Sequence, residues 1–115
     1  MKVITPNDVE THDNETRTSW RLLTPETLGE THGARAALIE YKYRETEPTD
    51  DELGGEHDHA EYYYVISGSG VIGLPGKRIP IKEGSAFVVP VGVRHSIWGA
   101  SSDAPVQAFF VALKP

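Results

Sequence analysis

The sequence predicts an all-β domain, a small barrel or sandwich, on three observations. Short runs of β-forming residues recur at regular spacing along most of the chain. Glycine and proline, 11 and 8 of 115 residues, punctuate the chain between those runs. No segment has the length and 3.6-residue periodicity of a long helix.

The elements follow in order. Residues 1–33 read as a polar lead-in, with Met1–Ile4 and Trp20–Leu23 as candidate strands and the polar stretch Thr11–Thr18 as a loop. Such a lead-in can cover an edge strand or reach a partner subunit. Thr24-Pro25-Glu26-Thr27 suits the opening of a single helical turn, because Thr and Pro favour the first helical positions. Residues 34–115 read as the barrel proper. Ala34–Arg44 alternates as a strand, with Arg35, Ala37, Ile39, Tyr41 and Tyr43 on one face. Glu45–Glu52 is acidic, contains Pro48 and reads as a mobile surface loop, with a lid at a barrel mouth as the functional alternative. Strands are then expected at Glu61–Ile66, Val71–Leu74, Lys77–Ile81, Ala86–Val89, His95–Trp98 and Gln107–Leu113, separated by turn dipeptides such as Pro75-Gly76.

Composition narrows the function classes. A chain of this length suits one domain with a modest core. Its net charge of −6 opposes a phosphate backbone, and the basic residues look scattered in sequence, so nucleic acid is not an expected partner. No cysteine is present, which removes disulfides, thiolate metal sites and cysteine nucleophiles. No apolar run approaches the roughly 18 residues of a membrane span, and the first residues carry no secretory pattern. The expectation is a cytoplasmic protein that does not enter a membrane.

Three of the five histidines fall where the β pattern is densest; His12 and His32 lie in polar sequence and read as surface residues. His57, His59 and Glu61 occupy alternate positions, which an extended chain places on one face. If that face is interior, two imidazoles and a carboxylate are buried together, and a bound cation removes the penalty. A solvated loop ahead of a strand is the ordinary alternative.

The surrounding spacing adds to this. Six residues separate Glu61 from Gly68, and fifteen separate Gly68 from Gly84. Gly84 is followed by five residues, then Pro90-Val91-Gly92, two residues and His95. These segments resemble the two motifs of the cupin superfamily, whose second motif ends on Asn where this chain has Gly99. The resemblance implies a cupin-type β-barrel (a double-stranded β-helix, or jelly roll) holding one divalent metal ion per chain, with Fe, Mn, Zn and Ni all compatible with nitrogen and oxygen ligands. It also implies a homodimer acting on a small-molecule substrate.

The first motif departs from the family pattern, since Gly55 stands where its first histidine would fall. Two ligand sets remain open: His57, Glu61 and His95, or the same three with His59. A straight strand separates the Cα atoms of residues 57 and 61 by about 13 Å, so the chain must bend between residues 55 and 59 to bring both onto one ion.

Tyr63, two past Glu61, shares its face, and the resemblance to certain metal-dependent cupin lyases makes it a candidate catalytic base; a core tyrosine is the plainer reading. Arg35 is a candidate for binding an anionic substrate group, and Phe87, Ile97, Trp98, Gln107 and Phe109 are candidates for the pocket wall. Glu56 and Asp58 alternate with the histidines and can steady their rings. By resemblance the function is that of a metal-dependent enzyme acting on a small metabolite. A dioxygenase-type oxidoreductase is favoured for a two-histidine, one-carboxylate site. An isomerase, a polyketide cyclase-like protein, a lyase or a non-catalytic binding module are the alternatives.

Overall fold

The computed structural model describes residues 1–113; the last two positions of the expected 34–115 unit lie outside the described residues. Nine strands form two antiparallel sheets: β1 (Thr11–Asp13), β2 (Arg17–Leu23), β3 (Ala34–Tyr41), β4 (Ala60–Ser67), β5 (Ser69–Leu74), β6 (Lys77–Lys82), β7 (Ala86–Val89), β8 (Ser96–Gly99) and β9 (Val106–Leu113). The larger sheet has the order β1-β2-β3-β9-β4-β7 and the smaller the order β6-β5-β8. They enclose a core that includes Ile39, Val65, Ile72, Ile97, Val106 and Ala108. Val65 and Val106 are wholly buried, a contribution of about 1.5–3 kcal/mol each.

Register places the residues that face the interior. Across the larger sheet, Val89, Glu61, Ala112 and Arg35 form one row, and Phe87, Tyr63, Phe110, Ala37 and Arg21 the next. Side chains alternate along each strand; Val89, Glu61, Tyr63, Ala37 and Ala112 of these rows are buried, whereas Arg35 and Arg21 at their ends are exposed.

The lead-in differs from its expected form. Met1–Ile4 makes no strand, whereas Thr11–Asp13 does, pairing with β2. The turn between them is set by Asn14, whose side-chain oxygen accepts from the backbone N–H groups of Thr16 and Arg17. That local bond, rather than apolar alternation, makes the hairpin. The expected helical turn is present as α1 (Pro25–Leu28), capped by the Thr24 hydroxyl, which accepts from the Thr27 N–H.

The acidic 45–52 segment is held rather than free. Arg78 donates to the Pro48 carbonyl and pairs with Asp50, whose other oxygen accepts from the Gly76 N–H. Pro48 itself is buried. Among the described residues no helix is long and apolar enough to cross a membrane.

Candidate metal centre

The site forms where β4 begins. Residues 54–59 are outside any strand, and the chain bends there as the spacing of His57 and Glu61 requires. Two contacts fix the bend. The Gly54 N–H donates to the Ser96 hydroxyl at 2.8 Å, and a Cβ at Gly54 would stand 2.5 Å from the His95 carbonyl oxygen, so only glycine fits. The Gly92 N–H donates to the His57 carbonyl at 2.9 Å from a turn in which Gly92 has φ +78°, a left-handed conformation glycine adopts without strain. Gly54 and the Pro90-Val91-Gly92 turn therefore clamp the two histidine-bearing segments together.

Three side chains converge on one carboxylate oxygen. Glu61 Oε1 lies 3.1 Å from His95 Nε2, 3.6 Å from His57 Nε2 and 3.5 Å from the Tyr63 hydroxyl, which donates to it. Glu61 and His95 are buried, while the His57 side chain is 44% exposed. The three donor atoms of His57, Glu61 and His95 all lie within 4.8 Å of one another, a spacing that can hold a metal ion.

Protonation supports that fit. His95 Nδ1 lies 3.1 Å from the Val93 carbonyl, and a carbonyl only accepts, so Nδ1 carries the hydrogen. The neutral ring then presents an Nε2 lone pair to a carboxylate oxygen, an arrangement that needs either a second proton or a cation between them. Without a cation, the proton takes that place. Burial works against the His95 charge, but the Glu61 hydrogen bond and the Val93 carbonyl outweigh it and raise its pKa. Burial likewise works to raise the Glu61 pKa, but the His95 hydrogen bond and the nearby imidazoles outweigh it and hold the carboxyl below its ordinary value. Two imidazole nitrogens and a carboxylate oxygen, with His95 and Glu61 buried and His57 on the open side, are a donor set for a first-row divalent ion.

The other expected site residues fall into two groups. Tyr63, Arg35 and Ile97 line the same cavity of about 470 Å³ as the three convergent residues. Burial pushes the Tyr63 phenol far above its ordinary pKa, with Tyr41 and Glu61 adding to the effect; the Tyr41 phenol is itself pushed up to about 12, chiefly by burial. His59 is outside the convergent set. Its Nδ1 donates to Asp58 at 2.8 Å, and its ring stands beside His57 with centroids 5.3 Å apart.

The pocket-wall expectation is corrected at four positions. Gln107 and Phe109 belong to the outward set of β9, because Val106, Ala108, Phe110 and Ala112 take the inward positions. Gln107 donates to Glu40, and Phe109 pairs with Leu38 and Tyr64 on the outer face. Phe87 faces inward but lies beyond Tyr63, stacked on it at 4.9 Å, and borders a separate apolar cavity of about 320 Å³. Trp98 is a core residue, 2% exposed, with Arg44 and Arg78 each 5.9 Å from its ring.

Basic residues scattered along the chain converge in space. Arg17, Arg21 and Arg44 join Arg35 around the cavity. The pairings Arg17↔Tyr41 and Arg21↔Ala37 place the β2 arginines on the inward face of the sheet. The alternation Arg17-Ser19-Arg21 was the available signal.

Comparison with known proteins agrees with this architecture. A family model described as a cupin domain matches residues 45–112. Ectoine synthase from P. lautus is similar in structure, with TM-score 0.77 and 22% identity over 100% of this chain and 79% of that one. The polyketide cyclase RemF from Streptomyces resistomycificus gives TM-score 0.76 and 20% identity over 98% of this chain and 79% of that one. The oxalate decarboxylase of Lactobacillus farciminis, solved as a formate complex, gives TM-score 0.74 and 20% identity over 95% of this chain. This chain spans only 32% of that decarboxylase. No curated protein matches the sequence. The motif spacing, the two-sheet barrel and the family match together place this chain in the cupin family.

Proposed function

We propose that this protein is a metal-dependent cupin enzyme that acts on a small organic metabolite, with His57, Glu61 and His95 holding one divalent ion. The observation that carries this is the buried pair His95 Nε2 and Glu61 Oε1, 3.1 Å apart, with the Nδ1 hydrogen already committed to Val93. A bound ion with three protein ligands supplies open coordination positions and Lewis acidity at a substrate oxygen. The chain's own residues do the rest. Val93 holds the His95 ring in one tautomer, and His57, on the exposed side, completes the set where substrate enters. Ile97 and Phe110 supply apolar wall.

The two-histidine, one-carboxylate set favours dioxygenase-type oxidoreductase chemistry. A second reading, an isomerase, a cyclase or a lyase, is favoured by Tyr63, which lines the cavity with its hydroxyl 3.5 Å from Glu61 and, kept protonated by burial, can serve as a proton donor there. Turnover of a panel of diketones, catechols and hydroxy acids, run in air and anaerobically, separates the two. Oxygen consumed in step with substrate supports the first reading; equal rates without oxygen, lost in Tyr63→Phe, support the second. Metal-loaded protein that turns over no substrate under either condition counts against an enzyme and for a binding module.

The proposal includes a cytoplasmic homodimer. The outer face of the larger sheet exposes Tyr62, Tyr64, Ile66 and Val88 side by side, an apolar strip suited to a second copy. Sedimentation equilibrium of Tyr62→Glu/Tyr64→Glu against the native chain tests it: a native dimer that becomes a monomer is expected, and a native monomer contradicts it.

A further inference from the structure

The charge inside the cavity is opposite to the charge of the chain. With 17 acidic residues against 11 basic ones, the protein is strongly anionic. Yet four of its six arginines line the cavity, Arg17, Arg21 and Arg35 with solvent-exposed side chains and Arg44 half-buried, and Glu61 is the one carboxylate that joins them there among the described residues.

The remaining two arginines have structural work. Arg78 donates to the carbonyls of Leu74, Lys77 and Pro48 and pairs with Asp50. Arg94 donates to the carbonyls of Asp51 and Leu53. The cavity arginines differ. Among the described residues none of the four has a carboxylate within ion-pair distance. Arg17 sits against the Tyr41 hydroxyl, and Arg21 and Arg35 act on Glu26 only at longer range. Arg44 Nε is buried with no hydrogen-bond partner, its guanidinium beside the Trp98 ring. A buried donor left unpaired is costly, and an acceptor on a ligand satisfies it.

Register sets the span between these groups and the metal centre. Glu61, Ala112 and Arg35 are cross-strand neighbours in one row, and Tyr63, Phe110, Ala37 and Arg21 in the next. Neighbouring strands lie about 4.8 Å apart, so Arg35 is roughly 10 Å from Glu61 at Cα, with only the Ala112 methyl between. A short diacid bridges such a span once the arginine side chain extends towards it.

We propose that the cavity binds a small organic acid with at least two anionic groups, one held by Arg21 and Arg35 with Arg17 and Arg44 flanking, the other turned to the His57/Glu61/His95 centre. The placement of the second group rests on the metal reading above; the arginine half does not. Guanidinium forks suit carboxylate oxygens through paired N–H bonds, which gives the site its preference for acids over neutral analogues.

Calorimetric titration of succinate and glutarate, with succinamide and glutaramide as neutral controls, tests this on metal-free and zinc-loaded protein. The diacids are expected to bind at least tenfold more tightly than their diamides in both forms, and more tightly with zinc than without. Arg21→Gln/Arg35→Gln should weaken diacid binding by about tenfold or more. Arg21→Lys/Arg35→Lys should weaken it less, and Lys82→Gln, an exposed charge on β6, should leave it unchanged. Unfolding curves of each variant confirm that the fold is kept. Diamides binding as well as diacids, a double Gln variant binding like the native chain, or no diacid binding at all overturns the proposal. Protein that takes up no zinc but still binds diacids through the arginines overturns the metal reading alone.

Discussion

His95 concentrates the chemistry of the site in one ring. Its Nδ1 hydrogen is committed to Val93 and its Nε2 faces Glu61, so its removal deletes both a ligand and the partner of a buried carboxylate. His95→Ala is expected to weaken divalent metal binding by more than about a hundredfold, the upper range for losing a mere outer-shell partner. Competition against a chromogenic chelator measures it. Glu61→Gln keeps the shape but removes the charge and should also lose metal. His59→Ala should change metal affinity little, because its ring nitrogens lie outside the convergent set of His57, Glu61 and His95. That contrast separates the two ligand sets that spacing alone left open.

At the scale of elements, the centre depends on the bend before β4 and the turn before β8. Gly54→Ala forces a Cβ against the His95 carbonyl, and overpacking of this kind costs about 1–3 kcal/mol. Denaturant unfolding should show that loss together with reduced metal affinity; a change in neither would mean the clamp does not position His95.

These elements also show what was legible beforehand. Glu61 and His95 were readable because the spacing of Glu61 to Gly68 and of Gly84 through Pro90-Val91-Gly92 to His95 resembles the cupin motifs. Tyr63 and Arg35 followed from the same two-residue period. Gln107 and Phe109 were misplaced because every residue of β9 except Gln107 is apolar, so alternation carried no sign and only pairing with β3 and β4 set the face. The hairpin of β1 and β2 escaped for a related reason: its side chains are polar, and an Asn14 hydrogen bond rather than an apolar pattern specifies it. The arginine cluster is a property of register across distant strands, which no linear scan displays.

For the molecule as a whole, metal binding and stability are linked through pH. In the metal-free protein, His95 has a raised pKa, so its pairing contributes stability that is full below its unfolded value of about 6.5 and is lost as pH rises through the folded value. Glu61 has a lowered pKa, so its contribution is present above its unfolded value of about 4.5 and is lost as pH falls through the folded value. The metal-free pair is therefore most stabilising in the window between those two values. Metal needs the imidazoles neutral, so its binding strengthens as pH rises through the His95 value. The Tm gap between metal-loaded and metal-free protein should widen from pH 6 to pH 8. It should reach on the order of 10 °C when free metal is a hundred times Kd. A gap that narrows over that range would contradict this coupling.

X-ray diffraction from metal-loaded crystals, with data collected on both sides of the zinc or manganese absorption edge, shows directly whether His57, Glu61 and His95 hold an ion. One anomalous peak per chain is expected inside the barrel, about 2.0–2.2 Å from His57 Nε2, His95 Nε2 and a Glu61 oxygen. A barrel interior with no such peak, or an ion bound on other side chains while His95 and Glu61 share a proton, would contradict it.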